Sequence, residues 1–303
     1  MDNSFSQKET NAHTSGSSGH STPPAAATGR NREVVTKRTV PSEEPDCGQP
    51  CVFSLGDWSC HPPSLPGLGY LREERKITPE TLRLFLPFIR TVSYTRWWSG
   101  NQSLAFPFTL PGSEAEIVGL ELEHYQFRGN APGTDRQEGC WCARFSCPSN
   151  ISDIFLFEAA VDALSFFELY HQKLLVENCA FVSLGGSPAQ GQLLRLAAAF
   201  PGARFTTGFT NDFQGNLYDI EVACILMNKE YSVLKNDGHL TITLDGREYP
   251  LDPATCSLAA FRRKTGLRPI LKALKPVQAR SFNQMHVNRK TARYEPKTGY
   301  TDH

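Results

Sequence analysis

Three short apolar runs, each ending at an acid or a glycine and each followed by helix-like spacing, constrain this chain more than any other feature. The first is Ile154-Phe-Leu-Phe157, closed by Glu158, with Asp162 four positions on. Four apolar residues are too few for a buried helix and suit a strand covered on both faces. Val161, Leu164, Leu169 and Leu174 then fall at mixed helical spacing, which places Glu158 where strand gives way to helix. The second run, Phe181 to Leu184, stops at Gly185-Gly186, and a helix is expected from Gln192 to Phe200, ended by Pro201-Gly202. The third, Ala203 to Phe209, leads into Thr210-Asn211-Asp212 and Gly215, after which Leu217, Ile220, Val222, Ala223 and Leu226 resume helical spacing.

Strands alternating with helices imply a right-handed, mainly parallel α/β layer. Ligands of such sheets bind at the carboxyl ends of the strands, which is where the acids and glycines fall. On a helix, positions i and i+4 share a face, so Asp162 can look toward the same pocket as Glu158. The competing reading is a solvated loop acid and an Asp favoured by the positive start of a helix.

A strand ending in Glu158, a strand ending in Gly185 and Gly186, and a strand leading to Asp212 with Gly215 close behind resemble the Toprim family. That domain is shared by DnaG-type primases, topoisomerases and some nucleases. The phrase Phe157-Glu158-Ala-Ala-Val-Asp162-Ala-Leu-Ser is similar to the first motif of small primase-like Toprim proteins on plasmids and mobile elements. Upstream, Tyr70-Leu-Arg-Glu-Glu-Arg-Lys-Ile-Thr-Pro-Glu-Thr-Leu82 resembles the opening of a primase core. Leu104-Ala-Phe-Pro-Phe108 with Ile117-Val-Gly-Leu-Glu121 resembles the strand pair before its Toprim fold. The resemblance covers residues 68 to 285.

The resemblance implies nucleotidyl transfer, with Glu158 as the central acid, Asp162 and Asp212 holding Mg²⁺ or Mn²⁺, and Gly185, Gly186 and Gly215 letting backbone approach phosphate. Mg²⁺ prefers carboxylate oxygen and water, held by one or two acids together with substrate phosphates. Two departures bear on catalysis. Thr210 stands where the family has the first Asp of Asp-x-Asp, and Ser281-Phe-Asn283 stands where relatives carry Asp-Trp-Asn. The expected function is therefore metal-dependent primer synthesis on single-stranded DNA from nucleoside triphosphates, alongside replication or mobilisation proteins of a mobile element. The alternatives are a catalytically degenerate Toprim DNA-binding or accessory protein and a Toprim nuclease.

Of 303 residues, 40% are hydrophobic and 19 are Phe, enough for a core of one large or two modest domains. No stretch nears the roughly 18 apolar residues that span a bilayer, and no signal-peptide layout opens the chain. No membrane association and a cytoplasmic location are expected. Nine scattered cysteines then read as reduced thiols. Cys47, Cys51 and Cys60 with His61, and Cys140, Cys142 and Cys147, lack the paired spacing of structural zinc, so zinc is not expected.

Residues 1–45 are polar and poor in large apolar groups, which predicts a disordered tail. Residues 46–66 read as a connector or as the remnant of a zinc-binding region. Residues 67–150 read as a primase-core-like α+β subdomain, 151–261 as the Toprim domain and 262–303 as a basic segment. Thr78-Pro79-Glu80 is a helix start. Ser103–Phe108, Ile117–Glu123 and Trp141–Phe145 predict an antiparallel unit, with Arg128-Gly-Asn130 on a loop. The resemblance to primases implies that this loop presents basic and polar groups toward nucleic acid, and a solvated hairpin loop is the other reading. Trp97-Trp98 suits either base stacking or a core. Net charge is zero, yet residues 262 to 297 hold 11 Lys or Arg against Glu295 alone. Arg262, Arg263, Lys264 and Arg268 are therefore expected to bind phosphates, releasing counterions. A solvated basic tail is the other reading.

Overall fold

A computed structural model describes residues 34–35, 52–64, 66–94, 102–125, 127–236 and 238–294. The tail at 1–45 (apart from Val34–Val35), Cys47, Cys51 and the Trp97-Trp98 pair lie outside them.

The elements run β1 (Val34–Val35), β2 (Trp58–His61), α1 (Gly69–Glu73), α2 (Pro79–Phe85), β3 (Arg90–Tyr94), β4 (Ser103–Leu110), β5 (Ser113–His124), β6 (Phe127–Asn130) and β7 (Trp141–Arg144). They continue with β8 (Asp153–Phe157), α3 (Ala160–Tyr170), β9 (Cys179–Ser183), α4 (Gln190–Ala199), β10 (Arg204–Thr207) and α5 (Phe213–Leu226). Last come β11 (Tyr231–Asn236), β12 (His239–Leu244), β13 (Arg247–Leu251), α6 (Leu258–Thr265), β14 (Leu271–Ala273) and α7 (Phe282–Tyr294).

The central sheet has the order β14-β10-β8-β9-β7. Its first four strands are parallel, and β7 joins β9 antiparallel. The expected mainly parallel α/β sheet flanked by helices is what the chain forms. Strand β8 is buried on both faces, which is why its sequence is a continuous apolar run. A second sheet, β2-β3-β4-β5-β6, is wholly antiparallel, and β11 to β13 make a meander on which β1 pairs.

The two faces of the central sheet have separate cores. One gathers α3 and α7 with an aromatic cluster in which Phe85 of α2 meets Phe88, Trp141, Phe145, Phe167 and Phe181. The other gathers α4, α5, α6 and the β11–β13 meander. Helix boundaries follow local chemistry. The Thr78 hydroxyl accepts from Thr81 N–H with Pro79 in the first turn, the Asp212 carboxylate caps α5, Ser257 caps α6, and Gly266 ends α6 at φ 74°.

Three assignments need correction. Trp141–Arg144, expected in the antiparallel unit, is an edge strand of the central sheet, because the hydrogen bonds between Thr109 and Cys140 carry the chain across the seam. Arg128 to Asn130 is strand, not loop, and pairs with Glu121 to Glu123. The described part of the basic segment is no loose tail. Leu271–Ala273 supplies the outer parallel strand, and Phe282 and Met285 are buried beneath α3.

Candidate active site at the sheet edge

Strand β8 leads into α3 on one face of the sheet, whereas its neighbours β9 and β10 lead into α4 and α5 on the other. Connections that diverge to opposite faces leave a crevice at the carboxyl ends of the strands. Glu158, Gly185-Gly186 and Thr210 to Asp212 stand at those three ends.

Glu158 Oε1 accepts both the N–H and the hydroxyl of Thr210, each at 2.8 Å. The same hydroxyl oxygen lies 3.0 Å from Asp212 Oδ1, which also accepts Gly215 N–H at 2.9 Å. Thr210 has one hydroxyl proton, so it serves one carboxylate at a time, and the pair leaves room for a further positive group. Glu158 Oε2 makes no hydrogen bond among the described residues. Burial pushes the Glu158 carboxyl above its ordinary range, against the two Thr210 hydrogen bonds. Asp212 is held below its ordinary value, because the Gly215 N–H and Arg280 outweigh the cost of its partial burial. Two neighbouring acids pushed in opposite directions suit an acid–base donor beside a permanent anion.

Cations ring this pair. Arg280 Nε donates to Asp212 Oδ2 at 2.8 Å although its side chain is 74% exposed. Lys275 Nζ reaches Thr210 O at 3.1 Å and stands 2.9 Å from Asp219 Oδ2. Asn211 N–H donates to Arg280 O and its amide to Pro276 O, so the 275–280 loop is pinned over the Thr210–Asp212 turn. Arg136 Nη2 donates to Ser187 Oγ at 3.3 Å, and its Nε is buried with no partner among the described residues.

Gly185 and Gly186 have φ of +67° and +128°. A side chain at Gly185 would meet Phe108 and Asn130, and one at Gly186 would come within 2.8 Å of Arg136 Nη2. The Asn130 amide braces this turn by donating to Gly185 O at 2.9 Å. Gly215 differs from its expected role. A Cβ there would lie 2.1 Å from Thr210 O, so this glycine makes room for the chain's own carbonyl rather than for phosphate.

Asp162 does not join Glu158 and Asp212 as a ligand set. Helix α3 begins at Ala160, so Glu158 precedes it and the i, i+4 relation does not apply. Asp162 Oδ1 accepts Asn283 N–H at 2.9 Å and Oδ2 pairs with Arg128 at 3.4 Å. The Asn of Ser281-Phe-Asn283 thus binds Asp162 and Ser165 rather than facing the crevice. Among the described residues no group of three or more His, Cys, Asp or Glu is arranged to hold a metal.

The basic residues also divide. Arg262, Arg263, Lys264 and Arg268 are exposed, but they precede β14 and so lie toward the amino edge of the parallel sheet, away from the crevice. Arg136, Lys275 and Arg280 flank the crevice instead, whereas Arg128 pairs with the seam acids Glu123 and Asp162. Sequence reading passed over Arg136 and Lys275 as crevice residues, and also Glu121 and Glu123. The acids carried a signal: they alternate with the apolar Leu120 and Leu122 on one strand, so they share a face. That face meets the seam, where Glu121 accepts Ala160 N–H and Ser183 O–H.

No helix among the described residues is long and apolar enough to cross a membrane. No family model and no curated protein matches the chain. Among solved structures, the primase fragment of the bacteriophage T7 primase-helicase protein is similar, at 14% identity over 82% of each chain with a TM-score of 0.43.

Proposed function

We propose that this chain is a primase-like Toprim protein that joins nucleoside triphosphates on single-stranded DNA by metal-dependent nucleotidyl transfer, serving replication or mobilisation of a mobile element. The observation that carries this reading is the convergence of Glu158 and Asp212 from adjacent parallel strands on one Thr210 hydroxyl, with Glu158 Oε2 unengaged among the described residues. Two carboxylates are enough for Mg²⁺ or Mn²⁺ when substrate phosphates complete the shell. The donor set therefore fits such an ion through Glu158 and Asp212, with Arg280 swinging off Asp212, and without Asp162. When bound, the ion would neutralise charge on phosphate oxygens.

The chain's own groups do the rest. Glu158, its carboxyl raised by burial, is placed to take a proton from an attacking hydroxyl or return one to a leaving oxygen. Arg136 and the glycine turn at 185–186 are placed to receive phosphate, and Arg280 and Lys275 balance charge on the strand. Thr210 in place of a carboxylate, together with the Arg280 clamp on Asp212, favours a second reading: a DNA-binding accessory protein without turnover.

One assay separates these. Single-stranded template, labelled nucleotides and Mg²⁺ or Mn²⁺ should give short primers, and Glu158→Gln should lower the rate by about a hundredfold or more. Equal silence of both proteins with strand binding intact selects the accessory reading. Degradation of DNA without nucleotides selects a nuclease.

A further inference from the structure

Away from the sheet edge, the antiparallel sheet carries a cleft of about 260 Å³. Gly67, Gly69 and Tyr70 form one wall, and the start of β4 and the end of β5 form the others. Its volume lies below the roughly 300–1,000 Å³ of pockets for drug-sized ligands, so it admits one flat ring system rather than a folded molecule. The Tyr125 ring stands at its mouth, 57% exposed, edge-on to Tyr70 with centroids 4.7 Å apart. The Phe127 ring, on the adjoining strand, is 50% exposed. Such surface aromatics are costly to leave in water and are suited to stacking. Gln102 and Ser103 line the cleft with both donors and acceptors.

The wall of the cleft holds an unusual acid. Glu123 is fully buried, and its Oε1 accepts the Tyr70 hydroxyl at 3.0 Å and Arg75 Nη2 at 2.6 Å. Oε2 is buried and has no hydrogen-bond donor among the described residues. Arg128 Nε stands 3.7 Å from it, and the same guanidinium reaches Asp162. Arg75 and Arg128 are paired with Glu123 and Asp162 behind this wall, so the cleft itself is walled by uncharged groups apart from the buried Glu123.

We infer that this cleft holds an unpaired nucleobase stacked on Tyr125, its edge read by Gln102 and Ser103. The assignment rests on the nucleic-acid reading above and adds a base-recognition site outside the carboxylate crevice. The base belongs to a strand or to a free nucleotide, and the test has an arm for each.

The Glu158→Gln protein, which needs no turnover, is titrated with a short oligothymidylate carrying one 2-aminopurine, whose fluorescence falls on stacking. Adding Tyr125→Ala is expected to weaken this binding by roughly five- to a hundredfold and to abolish the quench, while Tyr125→Phe restores both. A strand of the same length that is abasic at every position is expected to bind equally well with or without the Tyr125→Ala change. A second arm uses the triphosphate of 2-aminopurine deoxyriboside. Quenching there with the same dependence on Tyr125 assigns the base to a free nucleotide, and its absence assigns it to a strand. The inference is overturned if Tyr125→Ala changes neither arm, or if it weakens the abasic and base-bearing strands equally. Because no primer is made in this assay, its failure is distinct from failure of the proposed reaction.

Discussion

Glu121, Glu123 and Asp162 lie along the seam between the two five-stranded sheets, whereas Glu158 and Asp212 lie at the open carboxyl edge of one of them. The seam acids are buried and are held by the chain itself: Glu121 by Ala160 N–H and the Ser183 hydroxyl, Glu123 by Tyr70 and Arg75 at one oxygen and by the Arg128 charge 3.7 Å from the other, and Asp162 by Asn283 N–H and Arg128. The edge acids keep one oxygen without a hydrogen bond among the described residues (Glu158) or with an exposed and displaceable partner (Asp212 and Arg280). Carboxylates of one chemical type therefore do two jobs. Where donors are built in, a buried acid fixes how two sheets meet. Where a donor is missing or loose and the acid stands at an open edge, it can act on something that arrives from solution.

Asparagine substitutions at one acid of each group should give the largest contrast. Asp212→Asn keeps an oxygen to cap α5, so its thermal midpoint should move little, while primer synthesis should fall about a hundredfold as an ion-binding charge is lost. Asp162→Asn should do the reverse, keeping turnover within a few-fold and lowering the midpoint by several degrees, since Arg128 loses a buried counter-charge. Steady-state rates and thermal melts of both proteins would break the comparison if they ranked the other way.

Acidity gives a second contrast. Burial lifts Glu121 to about 7, offset by the Ser183 and Ala160 hydrogen bonds. Its folded value is above the unfolded one, so its stabilising effect is complete below about 4.5 and is lost as pH rises through about 7. Urea midpoints recorded across that window should decline with pH in the wild type, and the decline should flatten in Glu121→Gln. A wild-type curve with no slope there would show that the seam tolerates the ionised acid.

The smallest expected effect concerns the exposed basic turn of helix α6. Replacing Arg262, Arg263 and Lys264 together by Ala should leave primer synthesis within about twofold and reduce the salt slope of strand binding by less than one contact each. Arg280→Ala should alter both rate and metal dependence. If the triple variant proved the more damaging, the strand would have to pass along the amino edge of the sheet.

Much of the architecture was legible because its signals are local. Apolar runs of four residues marked β8 and β9, Thr78-Pro79 marked α2, and an acid or glycine at each strand end marked the crevice. What escaped reading was decided by partners distant in sequence. Asp162 looked like a metal ligand until the backbone of Asn283 claimed it, 121 positions away. Gly215 looked like a phosphate glycine until Thr210 O filled its space. Trp141–Arg144 had the pattern of any half-buried strand, and only the Thr109–Cys140 hydrogen bonds decide which sheet it extends. The basic run was visible as composition, but its division between two edges of a sheet depends on where β14 inserts.

That insertion has a consequence for biosynthesis. Leu271–Ala273 is the outermost parallel strand, and Lys275 and Arg280 follow at once. While a ribosome is still translating the meander, Glu158 and Asp212 can already be near each other with none of these countercharges present. A nascent chain at that stage has carboxylates repelling one another and a bare hydrogen-bonding margin on β10. Folding should therefore finish late, when the final helix emerges and seats Phe282 against Phe157.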